Sequence, residues 1–145
     1  MAITQAVATS FKVELMTGTH DFSTDTFKVA LYSSSATLDQ TVTAYTTDNE
    51  VSGTGYTAGG NTLTVSVSPT SANNSSGVGT AYVSFSNTSW SSSTITARGA
   101  LVYNSSKANR AVAVLDFGGD KVTNNDTLTI NFPTPDANNA IVRIS

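Results

Sequence analysis

The chain has 145 residues and a mass of 15.0 kDa; 12% of its residues are charged, 39% are hydrophobic, and its formal net charge is -3. A chain of this length forms one domain with a sizeable core. Its small number of charged residues, together with its large share of hydrophobic residues, excludes a disordered chain. The negative charge excludes electrostatic binding to nucleic acid, and the absence of cysteine excludes disulfides and thiolate metal sites.

The composition of the first seven residues does not predict a targeting signal. Residues 1–7 lack both a basic region and a long apolar region, so no secretory signal is predicted. No apolar run approaches the roughly 18 residues of a membrane span. We therefore expect the chain to be made and kept in a cytoplasm until it is assembled into something larger.

The first nine residues are predicted to form an N-terminal arm, residues 1–9, ahead of a single domain over residues 10–145. The arm is small and polar, with Ile3 and Val7 as its sizeable apolar side chains. Such an arm frays unless a partner orders it. Ile3 and Val7 are therefore candidate interface residues.

Residues 10–18 fit either a strand or a helix. Apolar residues alternate from Phe11 to Leu15, as they do in a strand. The same two residues are also four positions apart, which places them on one face of a helix. Ser10 and Gly18 stand where an N-cap and the residue after a C-cap are expected. We predict a short helix.

From Thr26 onward the pattern is typical of β-strands. Strand signals lie at residues 27–32, 63–67, 82–85, 94–103, 111–117, 128–132 and 140–144. Pro69 is expected to end the second of these, and a turn is expected at residues 71–77. The run at 111–117 is nearly all apolar, which predicts a central strand. The chain is therefore predicted to be all-β: a single-domain antiparallel β-sandwich of seven or eight strands, with a jelly roll as one arrangement that fits.

A long Ser/Thr/Gly-rich connection, residues 33–60, separates the first two strand signals. It ends in a stretch with four glycines in eight residues, which allows positive φ angles and predicts a shaped loop from which Tyr56 projects. The glycine spacing does not match a dinucleotide-binding fingerprint, and no helix follows. Connections of this length tend to be functional, so Tyr45, Glu50 and Tyr56 are candidate interface residues.

His20 is the only histidine and lies beside Asp21 and close to Asp25. A His–carboxylate pair can act as a general base, but no serine or threonine is singled out as a nucleophile. We predict a structural histidine in a turn that bonds to backbone. Glu14 and Glu50 are the only glutamates, and nothing in the sequence pairs them for glycoside hydrolysis.

Three aspartates near turns, Asp116, Asp120 and Asp126, supply oxygen ligands of the kind that calcium prefers. Their spacing does not match the twelve-residue calcium loop, so they are interpreted as turn residues and no metal site is predicted. Trp90 and Tyr103 are predicted to belong to the core or its edge rather than to a sugar-binding surface. No catalytic residue and no cofactor is predicted, and the chain is not expected to be an enzyme.

Nine runs of sequence carry a resemblance to a known family. They are Phe11-Lys12, Glu14-Leu15, Gly18, His20-Asp21-Phe22, Asp25–Tyr32, Tyr45-Thr46, Glu50–Gly60, Ala97–Asn104 and Leu115–Lys121. Together they span nearly the whole chain, which resembles a family of small structural proteins encoded by tailed bacteriophages.

The resemblance implies a non-enzymatic virion structural protein. We expect a capsid decoration or cement protein that binds the outer head surface and stabilises the capsid lattice. Its expected partners are the major capsid protein and further copies of itself in a homotrimer, without nucleic acid or membrane. Its expected location is the capsid surface of the virion, and the host cytoplasm during assembly. The alternative is a tail-associated or tail-fibre module for host recognition, in which Tyr56 contacts glycans.

Overall fold

The computed structural model describes residues 2–145. Within them the chain forms one helix, α1 (Thr9–Met16), and ten strands. The strands are β1 (Ala6–Val7), β2 (Phe27–Tyr32), β3 (Asn61–Thr62), β4 (Val65–Asn73), β5 (Gly79–Phe85), β6 (Thr88–Ser93), β7 (Thr96–Asn104), β8 (Arg110–Val122), β9 (Asp126–Ile130) and β10 (Val142–Ile144). The domain is all-β and sandwich-like, as predicted, and the jelly roll stays a prediction.

The strands form three antiparallel sheets. A five-stranded sheet has the order β1-β8-β7-β2-β3, a three-stranded sheet has the order β10-β5-β4, and β6 pairs with β9. β2 and β7 pair without interruption, from Phe27 opposite Asn104 to Tyr32 opposite Gly99. β8 and β7 are therefore inner strands, which confirms the central position predicted from the apolar run at 111–117.

The core lies on the five-stranded sheet and extends to the three-stranded sheet through phenylalanines. Residues 111–114 of β8 are buried without a break, so this strand is covered on both faces. Phe22 stacks on Phe27 with ring centroids 4.4 Å apart, and Phe27 reaches Phe85 of β5 at 5.8 Å. Full burial of one such ring contributes roughly 1.5–3 kcal/mol. The phenylalanines therefore hold the two sheets together.

The predicted helix is confirmed, with a different start. Its N-cap is Ala8, whose backbone is extended, so Ser10 lies inside the helix and the N-cap prediction is wrong. β1 ends at Val7 and α1 begins at Thr9, so the first helical turn begins before Ser10, the N-cap that the sequence predicted. Gly18 follows the C-cap Thr17 with φ at +72°, as predicted, because a left-handed residue ends the helix there.

The extent of β4 differs from the prediction, and β6 was not predicted. β4 continues through Pro69 to Asn73, so the strand does not end at the proline and the turn begins later. β4 is an edge strand with a shift in register between Val67 and Thr70, where the missing proline N–H costs no ladder bond. β6 was not predicted because it is almost entirely serine and threonine around Trp90.

The N-terminal segment is not a free arm over residues 2–9, so that expectation is wrong there. Ile3 is only 6% exposed and bridges Leu38 in parallel. Ala6 and Val7 form β1 on the edge of β8, and Ala8 is fully buried. The segment is therefore ordered by its own domain.

Candidate functional site

Glu50 is the centre of a group of polar contacts within the 33–60 loop. Its Oε1 accepts hydrogen bonds from the Tyr56 hydroxyl at 2.6 Å and from the Gly59 N–H at 2.7 Å. Its Oε2 accepts one from the Tyr45 hydroxyl at 2.7 Å. The Tyr56 oxygen in turn accepts the Leu31 N–H of β2 at 2.9 Å. This Glu50 cluster, formed by Glu50, Tyr45, Tyr56 and Gly59, therefore ties the loop to the sheet.

Two further tyrosines complete the same region. Tyr103 of β7 stacks on Tyr45 at 4.7 Å and donates a hydrogen bond to the Gly59 carbonyl at 2.7 Å. Tyr32 donates one to the Thr46 carbonyl at 2.6 Å. Four of the five tyrosines of the chain thus lie around one loop.

The Glu50 cluster keeps its phenols protonated. Burial raises the pKa of both Tyr45 and Tyr56 well above the ordinary phenol value, and the hydrogen bonds that they donate to Glu50 raise it further. A phenolate in either place would face the carboxylate instead of donating to it. These hydroxyls therefore act as hydrogen-bond donors that fix the loop.

The glycines of the loop adopt positive φ angles, as predicted. Gly59 and Gly60 have φ angles of +93° and +73°. A Cβ on Gly60 would lie 1.7 Å from the Val29 carbonyl oxygen, so the backbone itself passes against β2. The predicted projection of Tyr56 is wrong, because its hydroxyl points inward to Glu50 and Leu31.

The five candidate interface residues lie in two places. Tyr45, Glu50 and Tyr56 come together in the Glu50 cluster, where their polar groups contact their own domain. Ile3 is buried against Leu38, and Val7 is half-buried on β1. A role for these residues at an interface with another protein stays a prediction.

His20 belongs to a second buried group, a chain of side-chain hydrogen bonds from α1 to the end of β7. His20 Nε2 lies 2.8 Å from Glu14 Oε2, and its Nδ1 lies 2.9 Å from Asn104 Nδ2. The same Asn104 nitrogen donates to Asp25 Oδ2 at 2.7 Å, while Asn104 Oδ1 accepts the Ser106 N–H. His20 therefore bonds to side chains rather than to backbone, which corrects the prediction.

These contacts determine which ring nitrogen of His20 donates and which accepts. The Asn104 amide is oriented by Asp25 on one side and the Ser106 N–H on the other, so its NH₂ group faces the imidazole. His20 Nδ1 is then an acceptor, and Nε2 carries the proton that it donates to Glu14. The imidazole side chain is 0% exposed, so it reaches no substrate and serves as a structural link.

Asp25 is ionised at the end of this chain. Burial opposes the charge, but hydrogen bonds from the Asp21 N–H and from Asn104 outweigh it and lower the pKa of Asp25. Lys107 Nζ adds a distant ion pair at 3.7 Å. The carboxylate therefore anchors Asn104, and through it the histidine.

Two of the three aspartates considered for calcium, Asp116 and Asp126, accept hydrogen bonds from nearby protein groups. Asp116 Oδ1 accepts the Gly118 N–H at 2.9 Å and the Arg98 Nε–H at 3.3 Å. Asp126 Oδ1 accepts the Thr127 N–H at 2.7 Å. Across residues 2–145, no group of three or more His, Asp or Glu side chains is arranged to hold a metal ion.

An apolar groove lies between the helix and the last strand. It has a volume of about 580 Å³. Met16 and Ile144, which are 82% and 56% exposed, both contribute to it. We call it the α1–β10 groove; its apolar residues are Val7, Phe11, Leu15, Met16, Val142 and Ile144. Sequence reasoning missed this surface, because the same residues fit an ordinary core-facing helix and a terminal strand.

Comparison with known proteins adds no relative. No family model, no curated protein and no solved structure matches the chain. Within residues 2–145, no helix is both long and apolar enough to cross a membrane.

Proposed function

We propose that the chain is a non-enzymatic virion structural protein of a tailed bacteriophage, and specifically a capsid decoration protein. The observation that carries the proposal is the α1–β10 groove, an exposed apolar surface on a domain that is otherwise rich in serine and threonine. Exposed apolar patches rimmed by polar residues mark docking sites for other proteins. The resemblance of the sequence to tailed-phage structural proteins supplies the class of assembly.

The fixed 33–60 loop and the link between α1 and β7 support the same role. The 33–60 loop is fixed by Glu50, Tyr45 and Tyr56, and the helix is linked to β7 through His20 and Asn104. A brace between capsid subunits has to hold its shape when the lattice is strained. A domain whose long loop is fixed from within suits that task.

The proposed partner is the major capsid protein, and the proposed assembly is a homotrimer on the outer head surface. Each copy then contributes a modest contact area, and several linked copies bind together by avidity. Closed symmetric rings of this kind are common among homo-oligomers. Stabilisation of the lattice follows because each trimer binds neighbouring capsid subunits at once.

The alternative of a glycan-binding tail module gains no support from the aromatic residues. The hydroxyls of Tyr45 and Tyr56 are bonded to Glu50, and both Trp90 and Tyr103 are buried. The sugar-stacking surface that this role requires would have to come from other residues. We therefore propose no second function.

The proposal is tested by sedimenting the purified chain with heads of its phage from which the chain has been removed. Met16→Asp and Ile144→Asp are expected to reduce occupancy on the heads at least about tenfold, because each places a charge in an apolar contact. Val122→Asp is the matched control, since Val122 is 71% exposed and lies outside the groove. Failure of the unaltered chain to bind heads would contradict the proposal.

A further inference from the structure

We propose that the α1–β10 groove binds an extended, acidic segment of the partner protein, which adds as a strand to the open edge of β10. This inference rests on the proposed docking role and names the chemistry of the segment that docks. Its basis is the combination of an open sheet edge, an apolar floor and positive charge at one place.

The open edge is a consequence of the sheet order. β10 pairs with β5 on one side, with Val142 opposite Val83 and Ile144 opposite Ala81. No strand within residues 2–145 pairs with its other side. β1 is likewise the outermost strand of the five-stranded sheet, and its Val7 lines the same groove. An extended segment placed there gains main-chain hydrogen bonds, which is the usual basis of strand addition.

The floor of the groove suits alternate side chains of such a segment. Side chains of a strand point to opposite faces with a period of two, so every second residue of an added strand faces the groove. Leu15 and Met16 from α1, together with Ile144, offer apolar contacts to those residues, and the buried Phe11 and Val142 lie behind them. The segment is therefore expected to carry apolar residues at alternate positions.

The charged side chains of the groove indicate which residues alternate with the apolar residues of the docked segment. Lys12 and Arg143 line the groove and are exposed, and none of the described residues that line it has a carboxylate side chain. Lys12 makes no ion pair with any residue from 2 to 145. The neighbouring acid on α1, Glu14, is held by His20 at 2.8 Å and faces Arg110. Arg143 donates to the Asn138 carbonyl and lies close enough to Asp136 for their charges to interact, whereas Lys12 has no such partner among residues 2–145. The side chains that line the groove therefore carry net positive charge, and an acidic segment complements it.

The same charges disfavour a second copy of this chain as the occupant. Pairing of two β10 edges about a two-fold axis would bring each groove against its own copy. Lys12 and Arg143 would then face the same cations of the other copy, and like charges across an interface are unfavourable. An acidic partner segment is the occupant that satisfies both the edge and the charge.

The other end of the three-stranded sheet offers no equivalent place. β4 is also an edge strand, but it carries Pro69 and two shifts in register. Proline and bulges are the features that block pairing at sheet edges. Seven of its nine residues are exposed, and four of those seven are serine or threonine, so an added strand finds no apolar floor. Of the two edges of the three-stranded sheet, β10 is therefore the one that suits strand addition.

The test uses two synthetic peptides with blocked ends, one alternating valine with aspartate and one alternating valine with lysine. Amide chemical shifts of the full chain are followed by NMR as each peptide is added. We expect the aspartate peptide to shift residues of β10 and α1 and to bind about tenfold more tightly than the lysine peptide, because its carboxylates attract the two exposed cations and the ammonium groups of the lysine peptide repel them. The double variant Lys12→Glu with Arg143→Glu is expected to reverse the preference, and Val122→Asp to leave it unchanged.

Several outcomes would overturn the inference. Equal binding of the two peptides, no binding, or shifts confined to residues outside the groove would each contradict an acidic added strand. A dimer that forms with concentration and is lost in Ile144→Asp would assign the groove to a second copy instead. Peptide binding that fails while groove variants still abolish head binding would reject the added strand and leave the docking role intact.

Discussion

The Glu50 cluster and the α1–β10 groove lie in one small domain and use their side chains in opposite ways. In the cluster, one carboxylate has three donors from its own chain, and every contact points inward. In the groove, the apolar side chains of Met16 and Ile144 are 82% and 56% exposed. The tyrosines and Glu50 of the loop therefore serve the fold, while the exposed apolar residues of the groove form the surface that we propose as a docking site.

The largest effect on stability is expected from Gly60→Ala in the loop of the Glu50 cluster. The added Cβ would lie 1.7 Å from the Val29 carbonyl oxygen, so the loop or β2 must move. We expect a loss of more than about 4 kcal/mol in the free energy of unfolding, measured by urea denaturation. Gly77→Ala is the matched control, because Gly77 has a similar φ of +77° but open space at its Cβ. A similar loss in both variants would show that φ alone, and not the close approach, limits the position.

Glu50→Ala is expected to have the next largest effect. It removes the acceptor of Tyr45, Tyr56 and the Gly59 N–H at once, and a buried donor left without a partner costs about 1–3 kcal/mol. We expect a loss of about 3–5 kcal/mol in unfolding free energy. Asp48→Ala, an exposed carboxylate in the same loop, is the control and should change stability by less than about 0.5 kcal/mol. Equal effects of the two would contradict a central role for Glu50.

The Glu50 cluster also predicts a dependence of stability on alkaline pH. The pKa values of Tyr45 and Tyr56 are raised in the folded chain, so their contribution is fully present below the unfolded value of about 10 and is lost as pH rises above it. Ultraviolet titration should show both phenols ionising only together with unfolding. Reversible ionisation of the two in the folded chain, close to pH 10, would contradict the account.

The smallest effect on stability is expected in the groove. Ile144→Asp changes a side chain that is already exposed, so we expect less than about 0.5 kcal/mol in unfolding free energy. Its effect on binding to heads should nevertheless be large. A variant that loses head binding only because it unfolds would show a lowered midpoint in denaturation, which separates the two explanations.

Much of the β-fold could be predicted from the sequence, because local patterns carry it. The alternating residues of β2 and the apolar run of β8 are visible in the chain, and Gly18 marks the end of α1. β6 was missed because its serines and threonines give no strand pattern. It forms a strand by pairing with β9, where Trp90 lies opposite Leu128. Pro69 was interpreted as a terminator because edge position is a property of the sheet rather than of the local sequence.

The candidate sites were harder to predict for the same reason. Glu50 and Tyr56 are close in sequence, but their contact with Leu31 depends on how the loop returns to β2. The link from His20 to Asn104 joins residues 84 positions apart. The groove depends on what remains uncovered after folding, and no pattern within α1 or β10 reveals that. Contacts between distant segments, and surfaces left open between them, therefore needed the structure.

Labelling of intact particles would locate the chain in the virion. Gold-labelled antibody or nanobody against the chain would be applied to purified virions and located by electron microscopy. If the chain decorates the head, as we propose, the label spreads over the head at high copy number. Label confined to the tail or its tip would rule out decoration of the head.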